Sequence, residues 1–277
     1  MKRLLRIEWQ KIWLHRSSKI LLLAYFLILS SMALIASIEF SIGNTSIRIA
    51  DQGIFNFPYI WHFNTYIASL LKIFLAIVIV SMISNEYTYG TLKQNLIDGF
   101  SKKEFLTSKI LMILVFSLIS VLFVFVMTLI LGYRFSSYTA PSIVVSDLSF
   151  LLAYGLKLMG FFMFCLFLGI WIKRSAFALG FLFVWFVIES IIHGLTYKFI
   201  GGDFAQQMKK FFPLESFSNL IKEPFTRLEF IKAIESSIAG EEVIRAHGVS
   251  VESMLISFAW VVIFVLISYR MLLKRDL

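Results

Sequence analysis

Three ionisable side chains lie inside long apolar stretches of this 277-residue chain, where they could carry chemistry. Lys72, Lys157 and Glu189 are surrounded mostly by apolar residues. A charge in hydrocarbon is costly, so such side chains normally face protein or water and have a partner. Two interpretations stay open. The three residues line a translocation path or substrate site, which two lysines would suit if the substrate were anionic or carried a headgroup. Alternatively, Glu189 forms a buried ion pair with Lys157 or Lys72, or the lysines extend toward the membrane surface.

The chain offers little for catalysis. A phosphate-binding loop needs Gly-x-x-x-x-Gly-Lys-Ser/Thr, and no Gly-Lys dipeptide occurs. We therefore expect no ATP hydrolysis by that route in this chain, and no cofactor or metal bound by it. His15, His62, His193 and His247 lack the spacing of metal ligands. Glu189 and His193, one helical turn apart, are the only candidate pair for an intramembrane enzyme.

The elements that must position these residues are spanning helices. The chain is 59% hydrophobic and 16% charged, whereas soluble domains are roughly 45–50% apolar and about 25% charged. A spanning helix needs about 20 mostly apolar residues, and none of the apolar segments alternates as a barrel strand would. The segments that come close are 20–38, 66–83, 110–131, 148–172, 176–195 and 254–273. We therefore predict an all-α polytopic membrane protein with six transmembrane helices in one domain, 1–277.

The distribution of charge predicts the orientation. Six spans place both termini on one side, where the connecting segments hold 15 Lys and Arg against 5 Asp and Glu; the opposite side holds 9 and 11. Basic residues concentrate in cytoplasmic loops. We expect both termini in the cytoplasm and the protein in the plasma (inner) membrane. The net charge of +9 lies between apolar runs, so no nucleic-acid partner is expected.

The first 19 residues are basic and amphipathic. Arg6, Lys11 and Arg16 lie away from an apolar face. The apolar face consists of Leu5, Trp9, Ile12 and Trp13. Such a helix lies in the lipid headgroup layer, so residues 1–19 are predicted to form an interfacial helix. A plain basic flank of the first span is the alternative.

The segment 196–251 is long and lies on the opposite side in this topology. Pro213 and Pro224 divide it. Apolar residues recur at helical spacing after the second proline, at Leu228, Ile231, Ile234 and Ile238. This pattern predicts short helices on the outer leaflet before the last span, with a small soluble cap as the alternative.

The segment between the second and third predicted spans is the most informative. It contains, in order, an acidic residue, a Gly-Thr pair, two leucines, a Ser-Lys pair and a lysine that leads into the next span. These residues are Glu86, Gly90, Thr91, Leu92, Leu96, Ser101, Lys102 and Lys109. The segment resembles the corresponding loop of ABC type-2 transporter permeases, the membrane subunits of ATP-binding-cassette exporters. That family often has Pro where Gly99 stands and Arg where Lys102 stands, and both differences keep a turn and a positive charge. The predicted layout of the whole chain is similar to that family as well.

The resemblance implies that residues 85–105 form a cytoplasmic coupling helix that docks into a groove of a separate ATPase subunit. It implies that ATP and Mg are bound by that partner, and that two permease subunits, identical or related, enclose one path. The expected function is therefore ATP-driven export through a membrane permease. An ordinary connecting loop is the alternative for 85–105, and a membrane scaffold or sensor that docks an ATPase without transport is the alternative for the protein.

Overall fold

The computed structural model describes residues 2–37, 39–42, 45–48, 53–227 and 248–274. Helices dominate this part of the chain. In order they are α1 (Lys2–Leu14), α2 (Arg16–Ser37), α3 (Tyr59–Leu70), α4 (Lys72–Thr88), α5 (Thr91–Ile97), α6 (Lys102–Phe135), α7 (Pro141–Val145), α8 (Ser149–Ile172), α9 (Ser175–Phe199), α10 (Gly202–Lys209), α11 (Pro213–Ser218) and α12 (Val251–Leu273). A 3₁₀ turn covers Phe225–Arg227. Two short strands, β1 (Glu39–Ile42) and β2 (Thr45–Arg48), pair antiparallel between α2 and α3, which the sequence analysis did not predict.

The described part of the chain contains four to six candidate membrane spans. Four are long and apolar enough by themselves: α6, α7 with α8, α9 and α12. The count rises to six if each of two bent pairs of helices is taken as one span. The first pair is α1 with α2, which meet at 91°, and the second is α3 with α4, which meet at 41°. The prediction of a polytopic helical membrane protein is therefore confirmed, and the count of six stays a prediction.

The second predicted span, 66–83, is not one continuous helix. The helical region begins earlier, at Tyr59, and breaks at Leu71. The amide of Leu71 donates to the carbonyl of Ala68 at 3.2 Å, and the amide of Phe74 donates to that of Leu71 at 3.1 Å. Bonds to the third preceding residue tighten the backbone and mark a local departure from the α-helix. Lys72 is consequently the first residue of α4.

Helix α8 is the centre of the bundle. It packs against α3, α4, α6, α9 and α12, and most of its side chains are buried. Its Tyr154 hydroxyl lies 2.6 Å from that of Tyr25 in α2, which joins two buried phenols by a hydrogen bond. At Gly160 the aromatic ring of Phe217 from α11 occupies the space that any larger side chain would need. A glycine at this position therefore lets α11 lie directly on α8.

Two short helices follow α9 and pack against the bundle. Helix α10 packs against α9, and α11 packs against α8 and α12. These two helices and the 3₁₀ turn belong to the segment 196–251, for which short helices were expected. The amphipathic pattern at Leu228, Ile231, Ile234 and Ile238 lies outside the described residues.

Candidate functional site

Two glycines and a capping serine delimit the short helix α5. Gly90 has a φ of 69° and Gly99 a φ of 93°, a left-handed conformation that glycine adopts without a Cβ clash. Ser101 is the N-cap of α6: its Oγ accepts from the amide of Glu104 at 3.1 Å, and Glu104 accepts from the amide of Ser101 at 2.9 Å. This reciprocal arrangement is a capping box, which satisfies two amides at the start of a helix. The chain therefore turns sharply on both sides of α5.

Helix α5 has one buried and one exposed face. Leu92 is only 2% exposed, and Leu96 packs against the same apolar core. The opposite side carries Ile97, which is 77% exposed, and Tyr89, two residues before the helix, is 71% exposed. Lys93 and Gln94 are exposed with them, and we call these four residues the α5 exposed face. Of the predicted coupling residues, Leu92 and Leu96 thus support the helix from inside.

Four charged residues meet beneath α5, and we call Glu8, Lys11, Glu86 and Lys109 the four-charge cluster. The Nζ of Lys109 lies 2.6 Å from Oε2 of Glu8 and 2.9 Å from Oε1 of Glu86. The Nζ of Lys11 lies 2.7 Å from that same Oε1 of Glu86 and 3.5 Å from Oε1 of Glu8. Each lysine therefore contacts both carboxylates, and the cluster joins α1, α4 and α6.

Hydrogen bonds extend the cluster into α5. The hydroxyl of Thr91 donates to Oε2 of Glu86 at 2.6 Å, and Asn95 Nδ2 lies 3.5 Å from the same oxygen. The hydroxyl of Ser108 lies 3.4 Å from Oε1 of Glu8. One oxygen of Glu86 thus contacts two lysines while the other contacts α5.

The cluster is neutral and almost completely enclosed. Lys109 is 0% exposed and Glu86 is 3% exposed, and only Lys11 reaches the surface. Removing one member of a buried ion pair costs about 3–5 kcal/mol, because the remaining charge is left without compensation. Two positive and two negative groups in contact therefore hold α1, α4 and α6 in one arrangement, and they hold α5 through Thr91.

Only half of this cluster was predicted from the sequence. Glu86 and Lys109 were recognised in the segment before α6, but Glu8 and Lys11 were not assigned a site role. A signal was present, because Glu8 is the only acidic residue among the first 19 and lies one turn before Lys11. Of the other predicted coupling residues, Lys102 lies beside the last helix: its Nζ donates to the carbonyl of Leu273 at 3.2 Å.

The three charges predicted inside the spans have separate partners. Lys157 is buried and donates to the carbonyls of Ser218 and Ile221 at 3.3 and 3.4 Å. Lys72 Nζ lies 4.7 Å from the ring centroid of Phe161. Within the described part of the chain, no salt bridge joins Glu189 to Lys157 or Lys72, so the ion pair considered above is not formed there.

Glu189 is held by neutral donors. Its Oε1 accepts from the indole Nε1 of Trp185 at 2.7 Å and from the amide of Leu214 at 3.1 Å. Its Oε2 accepts from the amide of Glu215 at 3.2 Å. The amides at a helix start lack partners within the helix. Glu189 therefore fixes the start of α11 against α9. Lys72 and Glu189 line a common cavity, and Lys157 does not.

The fold and this site define a class: a polytopic helical membrane protein with a short connecting helix locked to its neighbours by buried charges. The sequence matches the family described as ABC-2 family transporter protein over residues 4–189, about two thirds of the chain. The chain belongs to this family, and is thus a membrane permease component of an ABC transporter. The match includes every member of the four-charge cluster. Membership implies association with an ABC ATPase component. No match is found among curated proteins.

Proposed function

We propose that this chain is the permease subunit of an ABC exporter, and that the α5 exposed face docks on a separate ATPase subunit. One observation carries the proposal. Helix α5 presents Ile97 to the surroundings beside the exposed Tyr89, and it is bonded through Thr91 to the buried four-charge cluster. Exposed apolar patches rimmed by polar residues mark interaction sites, and here Lys93 and Gln94 are the polar neighbours of Ile97.

The cluster offers a route for movement from α5 into the bundle. A partner that displaces α5 also displaces Glu86 through Thr91, and Glu86 moves with Lys109 of α6 and Lys11 of α1. Separating these charges is costly, so the helices shift together and the ionic contacts stay intact. Helix α6 has 34 residues, which at 1.5 Å per residue corresponds to about 50 Å. A tilt at the start of α6 therefore also moves the residues at its far end, on the other side of the bundle.

The remaining parts of the proposal follow from the family and the charge distribution. ATP and Mg are bound by the partner ATPase, because this chain contains no Gly-Lys dipeptide for a phosphate-binding loop. The excess of basic residues around α1 and α5 favours a cytoplasmic position for both. A second permease subunit, identical or related, completes the path, and transport is outward.

Copurification tests the proposal. Tagged protein from its native host is expected to bring down a P-loop ATPase, and the Ile97→Asp variant is expected to lose it without loss of expression. A matched control is Ile200→Asp, which makes the same change at an exposed isoleucine at the end of α9, outside the cavity described below and distant from α5 in the chain. Absence of any P-loop ATPase from the wild-type preparation would contradict the docking proposal.

The non-transporting scaffold or sensor makes a different prediction. It shares the ATPase partner but gives no movement of substrate. The reconstituted complex in proteoliposomes distinguishes the two, since an exporter must move substrate in an ATP-dependent manner. The compounds to test are those that stimulate ATP hydrolysis by the copurified ATPase. If that hydrolysis transports none of these compounds, the scaffold is favoured.

A further inference from the structure

A cavity of about 440 Å³ lies between α4, α8, α9 and α11. Its volume falls in the range of roughly 300–1,000 Å³ that is usual for ligand sites. It shares no lining residue with the four-charge cluster. Most of its wall is apolar: Phe161, Leu182, Phe183, Phe186, Phe212 and Leu214. A ligand of this cavity must therefore have a substantial apolar part.

Lys72 supplies a cation to this wall. It stands at the break between α3 and α4, and its ammonium lies 4.7 Å from the ring centroid of Phe161. In the part of the chain that the structure describes, no carboxylate lies within salt-bridge distance of it. A cation at membrane depth is costly unless an anion or water compensates it. The contact with one aromatic face contributes only about 0.5–2 kcal/mol.

The other charged groups of the wall already have partners. Glu189 accepts from Trp185 and from two backbone amides. Lys209 and Glu215 form a salt bridge at 3.0 Å. A further polar atom, Nε2 of His193, is buried and makes no hydrogen bond within the described residues. The wall therefore combines one uncompensated cation with one unused imidazole nitrogen.

The cavity opens on an apolar surface. Ile73, Phe183 and Phe186 line it and are also exposed. They belong to α4 and α9, and the rest of the described chain covers little of α9. In a bilayer this surface faces hydrocarbon, so a ligand enters sideways from the lipid with its chain against these side chains.

We infer that this cavity binds a membrane amphiphile with an anionic phosphate or carboxylate head, which places the head at Lys72. The apolar portion lies along Phe161, Phe183 and Phe186. Binding requires neither ATP nor an ATPase, so this site and the proposed export activity succeed or fail separately.

The test measures lipid binding by native mass spectrometry of the purified full chain in an uncharged detergent. The probes are phosphatidylglycerol and phosphatidylcholine with the same acyl chains, and free glycerol phosphate. We expect phosphatidylglycerol to bind at least about tenfold more tightly than phosphatidylcholine. The variant Lys72→Gln is expected to lose this preference, and Lys72→Arg to keep it. Lys198→Gln, which removes an exposed lysine of α9 outside the cavity, is expected to keep it as well.

Variants at a second position test the cavity independently of whether Lys72→Gln folds. Ser190 lines the cavity, so Ser190→Trp is expected to abolish phosphatidylglycerol binding by filling the space, whereas Ser190→Ala retains it. Equal binding of the two lipids to the wild type, or an unchanged preference in Lys72→Gln, would overturn the inference. Competition by glycerol phosphate as strong as that of the lipid would also overturn it, because the apolar wall would then contribute nothing.

Discussion

The ammonium of Lys109 lies 2.6 Å from a carboxylate oxygen of Glu8, which joins the start of α6 to α1 across about a hundred residues of sequence. The same ammonium contacts Glu86 at the end of α4. Three helices are thus tied at one fully buried cation. Helix α5 rests on this contact through the hydrogen bond from Thr91 to Glu86.

Removal of the buried cation should destabilise the protein. Lys109→Met leaves Glu8 and Glu86 facing each other with only Lys11 to compensate them, and we expect a loss of about 3–5 kcal/mol in the free energy of unfolding. Denaturant titration in detergent measures this loss. Lys93→Met, an exposed lysine on α5, is the control and should stay within about 0.5 kcal/mol of wild type.

A double-mutant cycle tests whether Glu8 and Lys109 act on each other. The variant carrying Glu8→Gln together with Lys109→Met should be more stable than the sum of the two single losses predicts, since each single variant leaves an unpaired charge. We expect a coupling free energy of about 1–3 kcal/mol. If the losses in the free energy of unfolding are additive in the same titration, the contact between α1 and α6 contributes nothing to stability.

The two faces of α5 should respond differently to substitution. Ile97→Ala removes a side chain that is mostly exposed, so thermal stability should hardly change while copurification of the ATPase falls. Leu92→Ala removes a buried side chain and should cost about 2–5 kcal/mol of stability. The opposite outcome, with Ile97 needed for folding and Leu92 needed only for binding, would reverse our assignment of the faces.

Gly90 should resist replacement because of its backbone. A Cβ added at Gly90 would meet no atom within 4 Å, but the φ of 69° at this position is unfavourable for other residues. Gly90→Ala is expected to cost about 1 kcal/mol or more and to lower the transport coupled to each ATP hydrolysed. Gly180→Ala is a matched control, since it also has free space but an ordinary φ. Equal behaviour of the two variants would refute the conformational argument.

Labelling of engineered cysteines should establish the sidedness. The native Cys165 is buried, so it should give little background. A membrane-impermeant maleimide is expected to label Lys93→Cys only in inverted vesicles and Lys198→Cys only in intact cells, because these lysines lie at opposite ends of the bundle. Labelling of position 93 from outside intact cells would place α5 on the wrong side for a nucleotide-binding partner.

The sequence predicted a turn at Gly99, and the structure has one there. Gly90 and Ser101 were named only for their resemblance to the family, although glycine favours a positive φ and serine favours the N-cap, which are the roles they have in the structure. The break at Leu71 was missed, because neither proline nor glycine marks it. The pairing of Glu8 with Lys109 was missed as well, since it depends on the 91° bend between α1 and α2.

The partners of Glu189 could not be read from side-chain types either. Two of its three hydrogen bonds come from backbone amides of α11, and every residue except proline has such an amide. The sequence suggested an ion pair between Glu189 and a lysine, because opposite charges are visible in a sequence. The folded chain instead satisfies the carboxylate with the unpaired start of a helix.

Photo-crosslinking from α5 tests the central claim most directly. A benzoylphenylalanine placed at position 97 on the α5 exposed face is expected to form a covalent adduct with a P-loop ATPase in native membranes. The same group at position 122, an exposed leucine of α6, should give no such adduct. If position 97 yields none while the transporter is active, or if position 122 yields as much, α5 is not the docking element.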